Sequence, residues 1–284
     1  MTTTLSPRQL GLCSWSTHPS GPADLIDRLR ELKLTNVQLA LDPVRKAPDA
    51  WRDVKPQLAE AGITIVAGMF GATGEDYSTP QTVRATGGLV PDRHWPTNWA
   101  NAQANAALAR DLGLRLVSSH AGFIPEDPDA PTYANLVDRI RQIADLFAET
   151  FQGTLLLETG QETADTLTGF LKTVDRDNVG VNFDPANMLL YGMGDPVTAL
   201  RKLMPHVRQV HIKDAKAPTE PDTWGQEMAI GEGEVDWPSF LTVLEENDFD
   251  GPLVIEREAG SDRVGDVRTA IRFIHAQIEE LAHA

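Results

Sequence analysis

Short apolar runs alternate with longer amphipathic segments along the whole chain. The runs are LGLCSW (10–15), NVQLAL (36–41), ITIVAGMF (63–70), LRLVSSH (114–120), GTLLLE (153–158), VGVNFD (179–184), VRQVHIK (207–213) and PLVIER (252–257). Each is followed by a segment with apolar residues at helical spacing, roughly over 22–33, 49–61, 98–112, 132–150, 162–173, 195–204, 237–247 and 266–282. Most runs are continuously apolar, as strands are when helices cover both faces of a parallel sheet. Eight strand–helix units in this order predict an α/β fold, a (β/α)8 TIM barrel that forms a single domain over residues 1–284. An open doubly wound sheet is the competing arrangement, but no strand leads into the glycine-rich turn that such sheets use for dinucleotides.

Local chemistry agrees with several boundaries. Gly21-Pro22, Asp195-Pro196 and Asp236-Trp237-Pro238 stand where the first, sixth and seventh helices begin, and Asp at the cap with Pro in the first turn suits a helix start. Two connections are long, 71–97 and 214–235, and both are rich in Gly, Pro, Asp and Thr. Both lie on the strand-to-helix side, where barrels build their sites, and are expected to act as lids or walls.

Composition narrows the class of partner. A chain of 284 residues with 41% hydrophobic side chains has the length and apolar content for one barrel core. Its formal charge of −16 opposes binding to nucleic acid or an anionic membrane. The apolar runs fall far short of the ~20 residues that cross a bilayer. Cys13 is the single cysteine, so no internal disulfide is available, and the first residues lack a leader pattern. The expected location is the cytoplasm, and a homo-oligomer is a general expectation tied to no particular residue.

Four residues carry the chemistry. Glu158, Asp184, His211 and Glu256 end the fifth to eighth strand runs, and the ends of parallel barrel strands converge on one rim. Each has a plain alternative: Asp184 before Pro185 also suits a helix cap, and a lone His is often structural. Together, however, three carboxylates in one pocket repel one another, and a divalent cation resolves the conflict. Without thiolate the set suits Mn²⁺ best, with Mg²⁺, Co²⁺ or Zn²⁺ as the other candidates. Trp15, after the first strand, and His120, at the end of the fourth, are candidates for substrate contact; His18, His94, Trp95 and Trp99 are weaker ones.

With these strand ends and GEGEVDW (231–237), the chain resembles the sugar phosphate isomerase/epimerase superfamily, the xylose isomerase-like TIM barrels, which include ketose 3-epimerases, hydroxypyruvate isomerase and inosose dehydratase. The resemblance implies that Glu158, Asp184, His211 and Glu256 are metal ligands and that Glu158 and Glu256 are also the catalytic acid/base pair. Many epimerases of the group carry a substrate-contacting His where this chain has Asn187, which hydrogen-bonds but does not titrate. Lys213 is a further substrate candidate, since strand alternation puts it on the side of His211, whereas Arg257 faces away from Glu256.

The expected activity is that of a divalent-metal-dependent isomerase or epimerase acting on a keto-sugar or related polyhydroxy ketone. One glutamate removes the proton alpha to the carbonyl, the metal stabilises the enediolate, and the other glutamate returns the proton. The alternative is a lyase or dehydratase that expels water or an alcohol after the same first step. Two other classes compete, an abasic-site endonuclease on a similar barrel, opposed by the net charge, and a non-catalytic sugar-binding protein. Glu232, Glu234 and Asp236 near the rim lean against a phosphorylated substrate.

Overall fold

The structure is a computed structural model and describes residues 5–220 and 222–283. Eight parallel strands form a closed barrel: β1 (Leu10–Cys13), β2 (Asn36–Ala40), β3 (Thr64–Met69), β4 (Leu116–Ser119), β5 (Thr154–Glu158), β6 (Val179–Phe183), β7 (Val207–Ile212) and β8 (Leu253–Ile255). Closure comes from β1 against β8, with Leu10 opposite Leu253. The barrel is a single domain, and the strand–helix alternation in the sequence is the alternation in space.

Helices cover the outside through apolar stripes. The helix Pro131–Phe151 buries Leu136, Ile140, Ile143 and Phe147, spaced by three and four residues, against the sheet. None of the described helices is long and apolar enough to cross a membrane.

Two expectations need correction. The helix expected over 49–61 starts only at Val54 and ends at Glu60, and a separate short helix, Leu41–Lys46, precedes it directly after β2. Ala47 precedes Pro48, whose ring disfavours helical backbone in the residue before it, and Asp53 sits in the left-handed region at φ 56°. The first run ends as a strand at Cys13, and Ser14–Ser16 form a 3-10 turn that carries Trp15. The two long connections also contain structure. The first holds the helix Pro80–Thr86, capped reciprocally by Thr79 and Thr82. The second holds an antiparallel ribbon of Asp214–Lys216 with Gln226–Met228. Neither has the apolar periodicity that would announce it.

Below the rim the barrel interior turns polar. Gln38, Ser118, Asn182 and Gln209 have no exposed surface, yet each interrupts an apolar strand. Gln209 Nε2 donates to Asn182 Oδ1 at 3.1 Å, and Gln38 Nε2 donates to Ser118 Oγ at 2.8 Å. Buried amides persist where such partners exist, and this layer supports the site above it.

Candidate metal centre

Strand alternation brings four candidate ligand side chains to the rim. Glu158 ends β5, His211 lies near the end of β7, and Asp184 and Glu256 directly follow β6 and β8. One ligand atom from each lies within 4.8 Å of all the others. His211 Nδ1 is 3.5 Å from Glu158 Oε1, 3.4 Å from Asp184 Oδ2 and 3.4 Å from Glu256 Oε2. None of the four residues is more than 4% exposed.

The second nitrogen of His211 sets its orientation. Nε2 lies 2.8 Å from Gln38 Oε1. Gln38 in turn donates to Ser118, whose hydroxyl donates to the Gly68 carbonyl at 3.4 Å, so the Gln38 oxygen faces the imidazole. Nε2 therefore carries a proton, and the ring is turned so that Nδ1 faces the carboxylates. Asn182 Nδ2 also lies 3.0 Å from Nε2, but as a donor its acceptor is Glu158 Oε2 at 3.3 Å.

Asp184 serves two purposes with two oxygens. Oδ1 accepts from the Asn187 backbone N–H at 2.9 Å and caps the helix Pro185–Leu190. Oδ2 is buried without a hydrogen-bond partner, and so is His211 Nδ1. Two unpartnered polar atoms aimed at one point, with two further carboxylates beside them, match a hard or borderline divalent cation. The protonation equilibria show the same demand for positive charge. Burial pushes the Asp184 carboxyl up to about 6, with Lys213 opposing. Burial also disfavours a His211 cation, but Cys13, Glu158 and Glu256 outweigh it and hold the imidazole well above its usual range.

A cavity of about 570 Å³ opens over this cluster. Trp15 Nε1 donates to Glu256 Oε1 at 2.5 Å, and Lys213 Nζ donates to Glu256 Oε2 at 2.9 Å and Glu258 Oε2 at 2.8 Å. Asn187 Nδ2 donates to Glu158 Oε1 at 3.0 Å, and His120 Nε2 stands 4.0 Å from the same oxygen. Burial disfavours a His120 cation, yet Glu158, Glu75 and Glu256 raise its pKa above the usual value. Trp15, His120, Asn187 and Lys213 thus all line the cavity with the two glutamates.

The weaker candidates lie elsewhere. His18 is exposed and contacts Arg263, while His94 accepts from Arg93 Nε at 2.8 Å. Trp95 and Trp99 pack on each other with ring centres 5.8 Å apart, and Arg139 covers Trp95. Arg257 faces outward and binds Asp266 at 2.8 Å and Glu227 at 2.7 Å. Sequence reasoning missed Gln38, Asn182, Tyr77, Tyr191, Trp224 and Glu258. Polar residues inside apolar runs were the available signal for the first two, and the last four have none.

GEGEVDW has a structural explanation in Asp214. Its carboxylate is 1% exposed and accepts from the backbone N–H groups of Ala215, Gly231, Gly233 and Val235 and from Trp237 Nε1, at 2.9–3.3 Å. A Cβ on Gly233 would come within 2.0 Å of Asp214 Oδ1, and Gly231 has φ +86°. The motif is the shape a loop takes when wrapped around one buried carboxylate.

Fold and site together define a parallel barrel with a carboxylate–imidazole cluster at the C-terminal ends of its strands. The chain belongs to the xylose isomerase-like TIM barrel family, which residues 26–277 match. A xylose isomerase domain protein from Planctomyces limnophilus is 34% identical, with a TM-score of 0.85 over 91% of this chain and 94% of that one. D-psicose 3-epimerase from Clostridium cellulolyticum, solved with D-tagatose, shares the fold at 17% identity, with a TM-score of 0.70 over 95% of this chain and 99% of that one. Inosose dehydratase of Clostridium tetani is 24% identical over 126 residues, 40% of this chain and 42% of that protein. The chain spans about half the length or less of the curated relatives it matches.

Proposed function

We propose that the protein is a divalent-metal-dependent isomerase or epimerase of a keto-sugar or related polyhydroxy ketone, working by proton abstraction alpha to the carbonyl. One observation carries this reading: Glu158 and Glu256, from strands separated by β6 and β7, both reach within 3.5 Å of Nδ1 of His211 at the cavity floor. Two carboxylates on different walls of one pocket suit removal of a proton on one side and its return on the other.

Glu158, Asp184, His211 and Glu256 would hold the ion, with Mn²⁺ the best match to the donors and Mg²⁺, Co²⁺ or Zn²⁺ the alternatives. A bound divalent ion supplies Lewis acidity beside the carbonyl, which makes the adjacent C–H more acidic.

The protein's own groups do the rest. One glutamate takes the alpha proton and the opposite one gives it back. Return to the other face of the same carbon inverts it, and return to the neighbouring carbon interconverts aldose and ketose. Trp15 and Lys213 hold Glu256 in place, while Asn187 and Asn182 hold Glu158. His120 and Lys213 face the cavity as donors for sugar oxygens.

A dehydratase is the second reading. It is supported by Lys213, whose ammonium stands between Glu256 and Glu258 where it can hydrogen-bond a departing oxygen, and by the likeness to inosose dehydratase.

The test is deuterium exchange in D₂O with Mn²⁺ and a panel of keto-sugars, followed by NMR. Exchange at the alpha carbon with the carbon skeleton intact is the expected result, and loss of water or alcohol selects the dehydratase. Glu158→Gln and Glu256→Gln should each slow exchange by about 10²–10⁴-fold. Two fully active variants would sink the assignment of roles.

A further inference from the structure

The cavity has two zones. Glu158, Glu256, His120, Asn187 and Lys213 supply charged and hydrogen-bonding groups at the floor, and Asp42, Glu75, Glu227 and Glu258 add carboxylates elsewhere in the lining. Met69, Tyr77, Leu190, Tyr191 and Trp224 contribute apolar and aromatic surface to the rest of the lining. Tyr191 and Trp224 meet edge to face with ring centres 5.1 Å apart, and Phe123 braces Tyr191 at 5.6 Å. Gln161 Nε2 donates to the Tyr191 hydroxyl at 3.3 Å. These rings are fixed in place before any ligand arrives.

Tyr77 adds a second wall. It is 44% exposed, the one large hydrophobic side chain so exposed among the described residues, and it lines this cavity. Tyr77 belongs to the connection after β3 and Trp224 to the connection after β7. The two connections touch where Gln81 Nε2 donates to the Asp222 carbonyl at 3.2 Å. The loop carrying Trp224 is held down at Gly225, where a Cβ would come within 2.5 Å of the Lys216 carbonyl oxygen.

The floor supplies hydrogen-bonding partners for the hydroxyls of one sugar ring, and Tyr77, Tyr191 and Trp224 offer aromatic surface for a second. The volume, about 570 Å³, lies well inside the ~300–1,000 Å³ range of pockets that enclose larger ligands. Flat rings against aromatic faces are the contact this zone is built to make. The net charge of −16, with Glu75 and Glu258 also in the lining, opposes an anionic group there.

We infer that the substrate is a glycoside: a keto-sugar ring at the polar floor, joined to a second, flat and uncharged ring that packs against Tyr191, Trp224 and Tyr77. The assignment of the keto-sugar to the floor rests on the proton-abstraction reading; the aromatic zone as a ring-binding subsite does not.

The experiment compares the methyl and phenyl glycosides of one keto-hexose on the full chain loaded with Mn²⁺. Affinity is measured by calorimetry and alpha-proton exchange by NMR. The phenyl glycoside should bind about tenfold tighter, the scale of one well-packed aromatic contact. Trp224→Ala and Tyr77→Ala should each shrink that advantage, and Trp224→Phe should keep most of it. Equal affinities, no measurable binding of either glycoside, or an advantage that survives both alanine changes would overturn the inference. Tighter phenyl binding without exchange on either compound supports the subsite and counts against proton abstraction instead.

Discussion

Gln38 Oε1 stands 2.8 Å from Nε2 of His211 beneath the cavity floor, although 173 residues separate the two along the chain. The contact orients the ring so that Nδ1 faces three carboxylates. Groups that orient a ligating histidine typically change metal affinity by about 10–100-fold when removed. Gln38→Leu should therefore weaken Mn²⁺ binding by about that factor in calorimetry, with the circular dichroism spectrum unchanged. Undiminished affinity would mean the imidazole holds its orientation without Gln38.

Asp184 caps a helix through one oxygen and presents the other to the carboxylate–imidazole cluster, so two substitutions should separate the two effects. Asp184→Asn keeps an oxygen for the Asn187 N–H but loses the second carboxylate oxygen. Asp184→Ala loses both. In chelator the Asn variant should melt at or above wild type, because a buried like charge is gone, while the Ala variant should be less stable than the Asn variant by about 1 kcal/mol. Wild type should gain about 2.7 kcal/mol at a Mn²⁺ concentration 100-fold above its Kd, and neither variant should approach that gain. Equal metal-induced shifts in all three proteins would remove Asp184 from the ligand set.

Asp214 is expected to be a stability residue. Replacing it by Ala strands the buried N–H groups that now converge on its carboxylate, and each unsatisfied buried group costs about 1–3 kcal/mol. Urea unfolding of Asp214→Ala should show a loss of at least about 3 kcal/mol. A loss well below about 1 kcal/mol would show that water replaces the carboxylate at no great cost.

Glu162 should make stability fall with rising pH. Burial pushes its carboxyl up from 4.5 to about 8, and the negative charge of Glu158 pushes the same way. The folded state therefore holds a proton that the unfolded chain releases near 4.5. Its contribution is fully present below that value, declines as pH rises, and is gone above about 8. Glu162→Gln, which stays neutral, should match wild type at the acid end and melt higher at the alkaline end. Parallel melting curves across the range would contradict a buried, proton-bearing Glu162.

The sequence by itself determined the barrel and singled out the candidate ligand set. Continuous apolar runs are what strands need when both faces are covered, and eight of them alternating with amphipathic helices leave few other ways to bury the surface. Glu158, Asp184, His211 and Glu256 were legible because each ends such a run, and parallel strands send all their ends to one rim. Short elements such as Pro80–Thr86 escaped because capping, not apolar periodicity, starts them.

Only the tertiary structure decided how those ligands are held and what surrounds them. Which imidazole nitrogen faces the carboxylates depends on Gln38, brought from β2 to β7 by barrel closure, and no spacing in the chain encodes that meeting. Whether Asp184 caps a helix was undecidable from Asp-Pro alone; its Oδ1 does so, while its Oδ2 stays without a hydrogen-bond partner in the cluster. Tyr77 and Trp224 share one cavity with Tyr191, which ends the helix Pro185–Leu190, because two long connections fold toward each other over it. Side chains on irregular loops follow no period, so their convergence is a fact of packing alone.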